Sequence, residues 1–512
     1  MFSKNQLLLT QISYFTKKAS DLTDEELDSV ATLFSKNYGK YSSKHPEKLK
    51  QNKQIKLSIS YYKNKIVNNN YTYVALAYNK DKLVGHAFYV IDETRQGNMT
   101  WVIQLVVKKE FRKKGIAKRL LFSIWGFSND FAWGLATTNP LTIKTLESAT
   151  LRKVSLEKMK QNINYIKALS DKVNFIKRED IYIDTNNSVV NSNYFVSHDD
   201  IPDLISKYGD KWVFGDLNEG YEWLAFTFKS QELRNISKKD IDNFISYSEQ
   251  RLKDAYSRMD MTNQSWTKNT KAEIDYLQNF ITDKSNVIID LGCGTSRHIS
   301  ELYARGFYKV YGYDFSDILI EKAKELHPEI ADRVFVNDCR YLKSNLKADC
   351  ILCLYDVIGS FPNEKDNNKI IKNAYKLLNQ GGVFILSVMN MELTTHIAKN
   401  NFDVYKNPKK LFRIKASQIM QKTGDVFNPD TYVIDKHTGL VFRKEIFKGD
   451  GFLDSEYIIR DKRYTRNEIE SILKCNGFEI IESKYVSAGK FDNALENINS
   501  HAKEILIICK KR

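Results

Sequence analysis

A glycine-rich turn in the second half of the chain has the residues that a nucleoside-binding site needs. The turn, DLGCGTS, begins at Asp290, contains Gly292 and Gly294, and follows the apolar run VII, which predicts a buried strand. The next predicted strand, KVYGYDFS, contains Asp314, 24 residues after Asp290. A strand, a glycine turn, a helix and a second strand ending in an acid form a nucleotide-binding crevice, in which the acid binds ribose hydroxyls.

Two departures separate this turn from the version that binds NAD. The third glycine of that pattern is missing, because position 297 is an arginine. An acid at the first position, here Asp290, is also foreign to the NAD version, and a carboxylate there suits a ligand that carries an ammonium group. The turn therefore favours a nucleoside ligand with an amino group over a dinucleotide.

A second loop, in the first half of the chain, is suited to a phosphate. The segment KKEFRKKGIAKRLL places seven basic residues around Gly115. The run MTWVIQLVV before it predicts a strand, and apolar residues at helical spacing after it predict a helix. Backbone N–H groups of residues 113–117 at the start of that helix can hold a phosphate, and Arg112 and Lys113 add positive charge.

The chain from roughly residue 245 to 512 resembles the class I S-adenosylmethionine (SAM) methyltransferases. Their loop is an acid, any residue, glycine, any residue, glycine, any residue and a small residue, which Asp290, Gly292, Gly294 and Ser296 match. The resemblance implies a Rossmann-like, seven-stranded domain. It also implies that Asp338 and the backbone of Cys339 meet the adenine, and that Leu354 and Tyr355 lie beside the sulfonium. The SAM-binding residues expected are Asp290, Gly292, Gly294, Asp314, Asp338, Cys339, Leu354 and Tyr355.

The chain from roughly residue 20 to 152 resembles the GNAT acyl-CoA transferases, a mixed α/β fold. Their signature is arginine or glutamine, two residues, glycine, one residue, then glycine or alanine, and Arg112, Gly115 and Ala117 match it. In that family the preceding strand pairs with the pantetheine arm of the cofactor, and an asparagine on the next strand touches it. The acetyl-CoA-binding residues expected are Leu105, Val107, Arg112, Lys113, Gly115, Ala117 and Asn139.

The catalytic residues do not follow from these motifs. Where the GNAT family often has a tyrosine acid, this chain has Leu146, and where it often has an acidic base, Gln104 stands. His86 is a candidate base, although a packed strand histidine is the simpler interpretation. Glu222 lies among aromatics that form either a core or an acceptor pocket. In the second half, Tyr355 is a further candidate.

The methyl acceptor is predicted to be a small molecule. The segment LYDVIGS lacks the motif of enzymes that methylate exocyclic amines of bases, and no cysteine nucleophile of the cytosine-C5 type is present. Residues 391–463 form an insertion that resembles the lid of small-molecule methyltransferases. The candidates for lining the acceptor site are Tyr256, Trp266, Arg460 and Tyr464.

The composition is that of a folded protein with more than one domain. The chain has 512 residues, 42% of them hydrophobic, and a formal net charge of +15. Basic residues are spread along the chain rather than grouped with aromatics, so a nucleic-acid groove is not favoured. No apolar run approaches the roughly 20 residues of a membrane helix. We therefore expect no membrane partner. The cysteines are scattered and give no disulfide framework, which predicts a cytoplasmic protein.

Cys350 and Cys353 have a spacing that also occurs in metal sites. On a predicted strand, however, residues three apart point to opposite faces, so the two thiols cannot hold one ion. We therefore predict buried core cysteines and no metal.

Together these observations predict two α/β domains: residues 1–237, with a GNAT-like core at about 20–152, and residues 238–512. Acetyl-CoA and SAM are the predicted cofactors, and the predicted function is a bifunctional transferase acting on a small molecule. Two alternatives stay open. The methyltransferase could instead modify RNA, recruited by the charge of the chain, or a protein. The GNAT-like domain could also be a non-catalytic binding module.

Overall fold

Two units, each with its own sheet, make up the described chain. The computed structural model describes residues 12–126, 130–257, 264, 267–422, 424–449 and 452–512. The chain divides into one unit of Met1–Asp240 with Lys448–Glu456 and another of Ile241–Phe447 with Tyr457–Arg512. The domain boundary between residues 237 and 238 stays a prediction.

An eight-stranded sheet and seven helices are described in the first unit. The strands are β1 (Ile12–Lys18), β2 (Thr72–Asn79), β3 (Lys82–Thr94), β4 (Gly97–Val107), β5 (Ala132–Thr137), β6 (Ile181–Ile183), β7 (Ser188–Asn191) and β8 (Tyr221–Phe228). The helices are α1 (Asp24–Asn37), α2 (Ile59–Tyr61), α3 (Ile116–Trp125), α4 (Pro140–Thr150), α5 (Leu156–Gln161), α6 (Ile163–Ser170) and α7 (Ile201–Ser206). A π-helical turn, Tyr62–Val67, continues α2.

The strand order of this sheet is β1-β2-β3-β4-β5-β8-β7-β6. Only β4 and β5 are parallel neighbours; the other pairs run antiparallel. The aromatic segment around Glu222 therefore forms β8, a strand inside the sheet next to β5, and not a separate cap. Residues after the GNAT-like core thus complete the same sheet.

The parallel strands β4 and β5 separate before they end. Their ladder pairs Met99–Val102 with Ala132–Leu135, whereas β4 continues to Val107. On its other side β4 stays paired with β3 through Val107, with a register shift between Phe88 and Tyr89. One edge of β4, from residue 103 to residue 107, is therefore not paired with β5 and opens toward the basic loop.

The second unit has a larger and a smaller sheet. The strands of the larger sheet are β9 (Ile288–Leu291), β10 (Val310–Asp314), β11 (Val334–Val336), β12 (Ala348–Cys353), β13 (Leu378–Met389), β18 (Phe478–Ser487), β19 (Lys490–Leu495) and β20 (Glu504–Lys511). Those of the smaller are β14 (Asn401–Phe402), β15 (Tyr432–Asp435), β16 (Val441–Gly449) and β17 (Phe452–Asp461), of which the described residues within Lys448–Glu456 are counted with the first unit. The helices are α8 (Lys238–Ser257), α9 (Thr270–Leu277), α10 (Arg297–Ala304), α11 (Asp317–Leu326), α12 (Glu364–Leu377), α13 (Met391–Ile397), α14 (Pro408–Arg413), α15 (Ile419–Lys422) and α16 (Arg466–Cys475).

The larger sheet has the order β11-β10-β9-β12-β13-β20-β18-β19. The first five strands are parallel, and β20 then runs antiparallel to both β13 and β18. The expected seven strands are corrected to eight, because β18 turns at Gly489 into the edge strand β19. That strand buries Phe491 and exposes most of its other residues, so it lacks a strong apolar pattern.

Core residues cover both faces of the larger sheet. One cluster contains Ile289, Ile351 and Cys353, and the other contains Ile288 and Cys350. The two thiols therefore lie in cores on opposite faces, as their spacing predicted. Among the described helices, none is both long and apolar enough to cross a bilayer.

The smaller sheet lies in the predicted lid, residues 391–463. Strands β15 and β16 form an antiparallel hairpin, and β17 follows in the order β14-β15-β16-β17. A buried ion network holds this region together: Arg443 lies 2.8 Å from Asp461 and 2.6 Å from Glu445, and Arg463 lies 2.9 Å from Asp461. The described part of this insertion is thus held together by buried ion pairs of its own.

Candidate functional site

A cavity of about 280 Å³ lies at the carboxyl ends of β9, β10 and β12. The order of parallel strands puts these ends side by side, where ligands bind in open α/β sheets. All eight residues expected to bind SAM line it: Asp290, Gly292, Gly294, Asp314, Asp338, Cys339, Leu354 and Tyr355. Residues separated by up to 65 positions in the sequence, 290 to 355, therefore meet at one site.

The glycine turn needs its two glycines for different reasons. Gly292 has φ +80°, and a Cβ atom there would lie 2.4 Å from a methyl group of Val357. Gly294 has φ +54° and faces open space. Its amide donates to Asp314 over 3.0 Å, and the amide of Ser316 donates to the same carboxylate over 2.8 Å. Asp314 is thus fixed at the cavity wall by the turn itself.

Asp290 brings an incompletely satisfied carboxylate to the cavity. The residue is 2% exposed, and its Oδ2 atom has no hydrogen-bond partner among the described residues. Nδ1 of His298 lies 3.7 Å from this oxygen. A buried polar atom without a partner is costly, so this oxygen is prepared to accept a hydrogen bond from a ligand.

Glu273, on α9, organises one side of the cavity. Its carboxylate accepts hydrogen bonds from Arg297 and from the phenol of Tyr355, and it lies 2.6 Å from Nε2 of His298. Burial disfavours its charge, but the bonds and charges of His298 and Arg297 outweigh burial and lower the pKa of Glu273 to about 2. Sequence reasoning missed Glu273; the arginine at the third glycine position was the one local signal of its presence.

Tyr355 has an unusual backbone conformation, with φ +59°. Residues other than glycine rarely adopt a positive φ, so the hydrogen bonds around Tyr355 must hold it in this conformation. The amide of Tyr355 donates to Oγ of Ser387 over 2.6 Å, and its phenol is bonded to Glu273. The residue is thereby locked at the carboxyl end of β12, on the cavity wall.

The far wall carries the groups expected to meet an adenine. The guanidinium of Arg340 binds Asp338 at 2.6 Å and lies 4.1 Å from the ring centroid of Phe361. Burial opposes ionisation of Asp338, but the hydrogen bond from Arg340 outweighs it and lowers the pKa of that carboxyl. Phe315 and Leu319 line the same cavity. This wall thus combines an ionised carboxylate, which can accept hydrogen bonds, with aromatic and aliphatic side chains.

A short segment of the predicted lid also lines the cavity. Gly424, Asp425, Val426 and Phe427 line the cavity together with Met420. Lys503 binds Asp425 at 2.7 Å, and Arg463 donates to the carbonyl of Val426 over 3.0 Å. Glu504 and Asp356 line the cavity as well.

Two of the four residues expected to line an acceptor site have other positions. Tyr464 is buried in the core, with its hydroxyl 3.2 Å from Glu364, and Arg460 is ion-paired with Glu249 at 2.7 Å. Neither belongs to the described lining of the cavity. Trp266 and the side chain of Tyr256 lie outside what the structure describes.

In the first unit, the basic loop has the left-handed turn that a phosphate loop requires. Lys113 has φ +60° and Gly115 has φ +87°, directly before Ile116 begins α3. Ala117 follows in the first turn of that helix. The free backbone N–H groups of the first turn of α3 therefore point to one common position in front of the helix.

Arg112 is engaged by the protein backbone. Its Nε donates to the carbonyl of Val107 over 3.1 Å, and its Nη2 donates to the carbonyl of Asn37. The side chain therefore ties the loop to β4 and to α1. Its charge remains near the loop, but its hydrogen-bonding atoms are used structurally.

The other expected acetyl-CoA residues lie around the gap between β4 and β5. Leu105 and Val107 lie on the part of β4 that β5 does not pair. Asn139 caps α4, since its side chain accepts from the amide of Leu141 over 2.9 Å. Leu146, at the position of the missing tyrosine, is fully buried on the same helix.

His86 and Gln104 form a buried polar pair on neighbouring strands. Oε1 of Gln104 accepts from the hydroxyl of Tyr62 over 2.9 Å and lies 2.8 Å from Nε2 of His86. Because Oε1 only accepts, Nε2 carries the imidazole hydrogen, and Nδ1 has no partner among the described residues. Burial lowers the pKa of His86 to about 4, so the ring is neutral at pH 7.

Glu222 is a buried carboxyl at the start of β8. It is 9% exposed and lies opposite Val190 of β7. Burial raises the pKa of Glu222 to about 7, although a hydrogen bond with Ser192 opposes the shift. A carboxyl with a pKa near neutrality is able to accept and release a proton at physiological pH.

Comparison with known protein families matches the two units separately. A model of the acetyltransferase (GNAT) family matches residues 28–124, and a methyltransferase-domain model matches residues 282–427. The chain joins a GNAT domain to a methyltransferase domain. Both predicted resemblances are therefore confirmed, and so is the α/β fold.

Two curated relatives are similar to part of this GNAT–methyltransferase chain. A carboxy-S-adenosyl-L-methionine synthase from Nautilia profundicola is 28% identical over 206 residues, which cover 39% of this chain and 85% of that protein. A protein of the same name from Campylobacter curvus is 27% identical over 137 residues, covering 26% of this chain and 58% of that protein.

Solved structures with some similarity are also methyltransferases. A SAM-dependent methyltransferase from Clostridium acetobutylicum has a TM-score of 0.35 and 16% identity, over 51% of this chain and 98% of that one. The CcbJ methyltransferase from Streptomyces caelestis has a TM-score of 0.36 and 14% identity, over 48% and 90% of the two chains.

Proposed function

We propose that the chain is a bifunctional transferase, with SAM-dependent methylation in the second unit and acetyl-CoA-dependent acylation in the first. The observation that carries the methyltransferase assignment is the convergence of all eight expected SAM residues on one cavity. The acceptor that we propose is a small molecule. The size of the cavity, about 280 Å³, and the residues of the predicted lid that line it support this.

The residues present fit SAM well. Asp290 offers the ammonium group a buried oxygen that has no hydrogen-bond partner in the described part of the chain, and Gly294 faces open space. Asp314 would hold the ribose hydroxyls and Asp338 the adenine amine, as a carboxylate can accept from either. SAM supplies an activated methyl group; the chain positions it and excludes water. Transfer by direct displacement depends more on this alignment than on strong acid or base groups.

The names of the curated relatives raise a second use of the cofactor, conversion to its carboxy derivative. The charges of the cavity disfavour this for the present chain. Against the basic residues Arg297 and Lys503, the described lining has the acids Asp290, Asp314, Asp338 and Asp425, besides two carboxyls, Asp356 and Glu504, whose pKa is raised by burial. A further carboxylate on the cofactor would be repelled, whereas the positive charge of SAM would be attracted.

For the first unit we propose that acetyl-CoA binds between β4 and β5. The loop amides of residues 113–117 would hold its phosphates, and the edge of β4 from 103 to 107 offers backbone groups to the pantetheine arm. Glu222 is the candidate that we favour for receiving the acceptor's proton, because its pKa of about 7 suits a general base. His86 is less suited, because burial lowers its pKa to about 4.

Calorimetric titration with SAM tests the methyltransferase assignment. We expect Asp314→Ala to weaken binding by at least about tenfold, since it removes charge-assisted hydrogen bonds worth about 1.5–3 kcal/mol each. Asp332→Ala is the matched control, because that carboxylate is 80% exposed and lies outside the described cavity lining. Equal SAM affinity for wild type and Asp314→Ala would contradict the assignment. If the protein instead converts SAM to its carboxy derivative, the activity for which the relatives are named is favoured.

A further inference from the structure

Glu504 is a buried carboxyl that the cofactor assignment does not use. It begins β20, opposite Met389 at the end of β13, and lines the cavity. The residue is 5% exposed, and its Oε2 atom has no hydrogen-bond partner among the described residues. A buried, unsatisfied carboxyl oxygen on a cavity wall is expected to have a ligand partner.

The sheet order places Glu504 on the acceptor side of the cofactor site. Along the edge, β10 carries Asp314, β9 carries Asp290, and β12 leads to Tyr355. The next two strands are β13 and β20. Ser387 of β13 connects the two sides, since its hydroxyl accepts from the amide of Tyr355 and also hydrogen-bonds Glu504. Glu504 therefore lies on the β20 side of Tyr355, the residue expected beside the sulfonium.

A second carboxyl reinforces the negative character of this end. Asp356 lines the cavity directly after Tyr355, and it interacts electrostatically with Glu504. Burial raises the pKa of Glu504 to about 8, and Glu273 and Asp356 add to that rise while Ser387 and Arg297 oppose it. A cation placed between these carboxyls would relieve their repulsion. An acceptor that carried a carboxylate or phosphate would increase it.

We propose that Glu504 binds the amino group of the methyl acceptor and receives its proton, so that the second unit is an amine methyltransferase. This inference rests on the proposed SAM site. When the amine nitrogen takes the methyl group, an N–C bond forms and the electron pair of the broken C–S bond stays on sulfur. Free Glu504 holds a proton near neutral pH, because burial raises its pKa; an ammonium group bound beside it restores the carboxylate, and the proton that nitrogen loses then passes to that carboxylate. Asp356 acts electrostatically, by favouring a cation beside Glu504.

Two cofactor analogues test this without knowledge of the acceptor. In sinefungin an amino-bearing carbon replaces the sulfonium and its methyl group, whereas S-adenosylhomocysteine has no amine there. We expect wild type to bind sinefungin at least about tenfold more tightly than S-adenosylhomocysteine, because the extra amine gains a charge-assisted bond. Glu504→Gln should lose most of that preference and keep its affinity for S-adenosylhomocysteine. Glu479→Gln is the control, as that residue is exposed and paired with Arg512.

The outcomes separate the two proposals. If wild type binds neither analogue, the SAM site itself is wrong, and the inference fails with it. If wild type binds S-adenosylhomocysteine but shows no preference for sinefungin, or if Glu504→Gln keeps the full preference, the amine assignment is overturned and the SAM site stands. Should Glu504→Gln fail to fold, Glu504→Asp replaces it. That variant keeps the charge but withdraws it by one methylene, and an unchanged preference there contradicts the proposal.

Discussion

Nε2 of His298 lies 2.6 Å from Oε2 of Glu273, and both side chains are buried. This contact joins α9 to the first turn of α10, the helix that follows the glycine turn. Arg297 and Tyr355 bond to the same carboxylate. Glu273 thus fixes three residues of the cavity wall, all of which are distant from it in the sequence.

Replacement of that acid should destabilise the second unit. In Glu273→Ala, Arg297 loses a buried counter-charge, and we expect the free energy of unfolding to fall by about 3 kcal/mol. Urea denaturation measures the change. Glu321→Ala is the control: its carboxylate is 67% exposed and ion-paired with Lys324, so the loss should stay below about 1 kcal/mol. Equal losses for the two variants would show that the Glu273 cluster contributes little.

The pH dependence of stability should report on Glu504. Burial raises its pKa in the folded protein from 4.5 to about 8, so the folded state keeps a proton that the unfolded chain releases. The stability linked to this group is fully present below about pH 4.5 and is lost as the pH rises to about 8. In urea denaturation, wild type should therefore lose stability relative to Glu504→Gln between about pH 5 and about pH 8. Parallel pH profiles would mean that Glu504 is ionised in the folded protein.

Much of the methyltransferase site could be predicted because its residues belong to local motifs. Asp290, Gly292 and Gly294 form one turn, and Asp314 ends the strand that must follow it in a βαβ unit. Their meeting is a consequence of parallel strand order. Glu273 and Glu504 could not be found in this way. They reach the cavity from α9 and from the last strand, and only the tertiary packing brings them there.

The difference between local motifs and tertiary packing also explains why the partner of Arg112 and the eighth strand of the larger sheet were not predicted. The sequence placed Arg112 in a phosphate loop, but the carbonyl that its guanidinium binds belongs to Asn37, 75 residues earlier. No local pattern encodes that partner. The edge strand β19 was missed because its residues mostly face solvent, so it lacks the apolar alternation from which strands are predicted.

Coenzyme A binding tests the first unit. We expect coenzyme A to protect residues 104–120 from hydrogen exchange, and Gly115→Glu to abolish that protection. A glutamate there must adopt the left-handed φ of +87°, and it brings negative charge to the phosphate position. Gly209→Glu is a matched control, since Gly209 is also left-handed, at φ +49°, and has open space around it. If coenzyme A leaves the segment unprotected in wild type, the first unit is not an acyl-CoA enzyme.

Separation of the two halves is the final test of the proposed organisation. We expect a cut after residue 237 to give two soluble pieces, because each proposed cofactor site is formed within one of them. The described cavity lining falls between residues 290 and 504, whereas the phosphate loop and the gap beside β4 fall between 97 and 137. Calorimetry should find the SAM affinity of residues 238–512 within about threefold of the full chain, a difference below 1 kcal/mol. A C-terminal piece that binds SAM only after residues 1–237 are added would show instead that one half completes the other, and transfer of a common substrate between the two sites would then become the simpler interpretation.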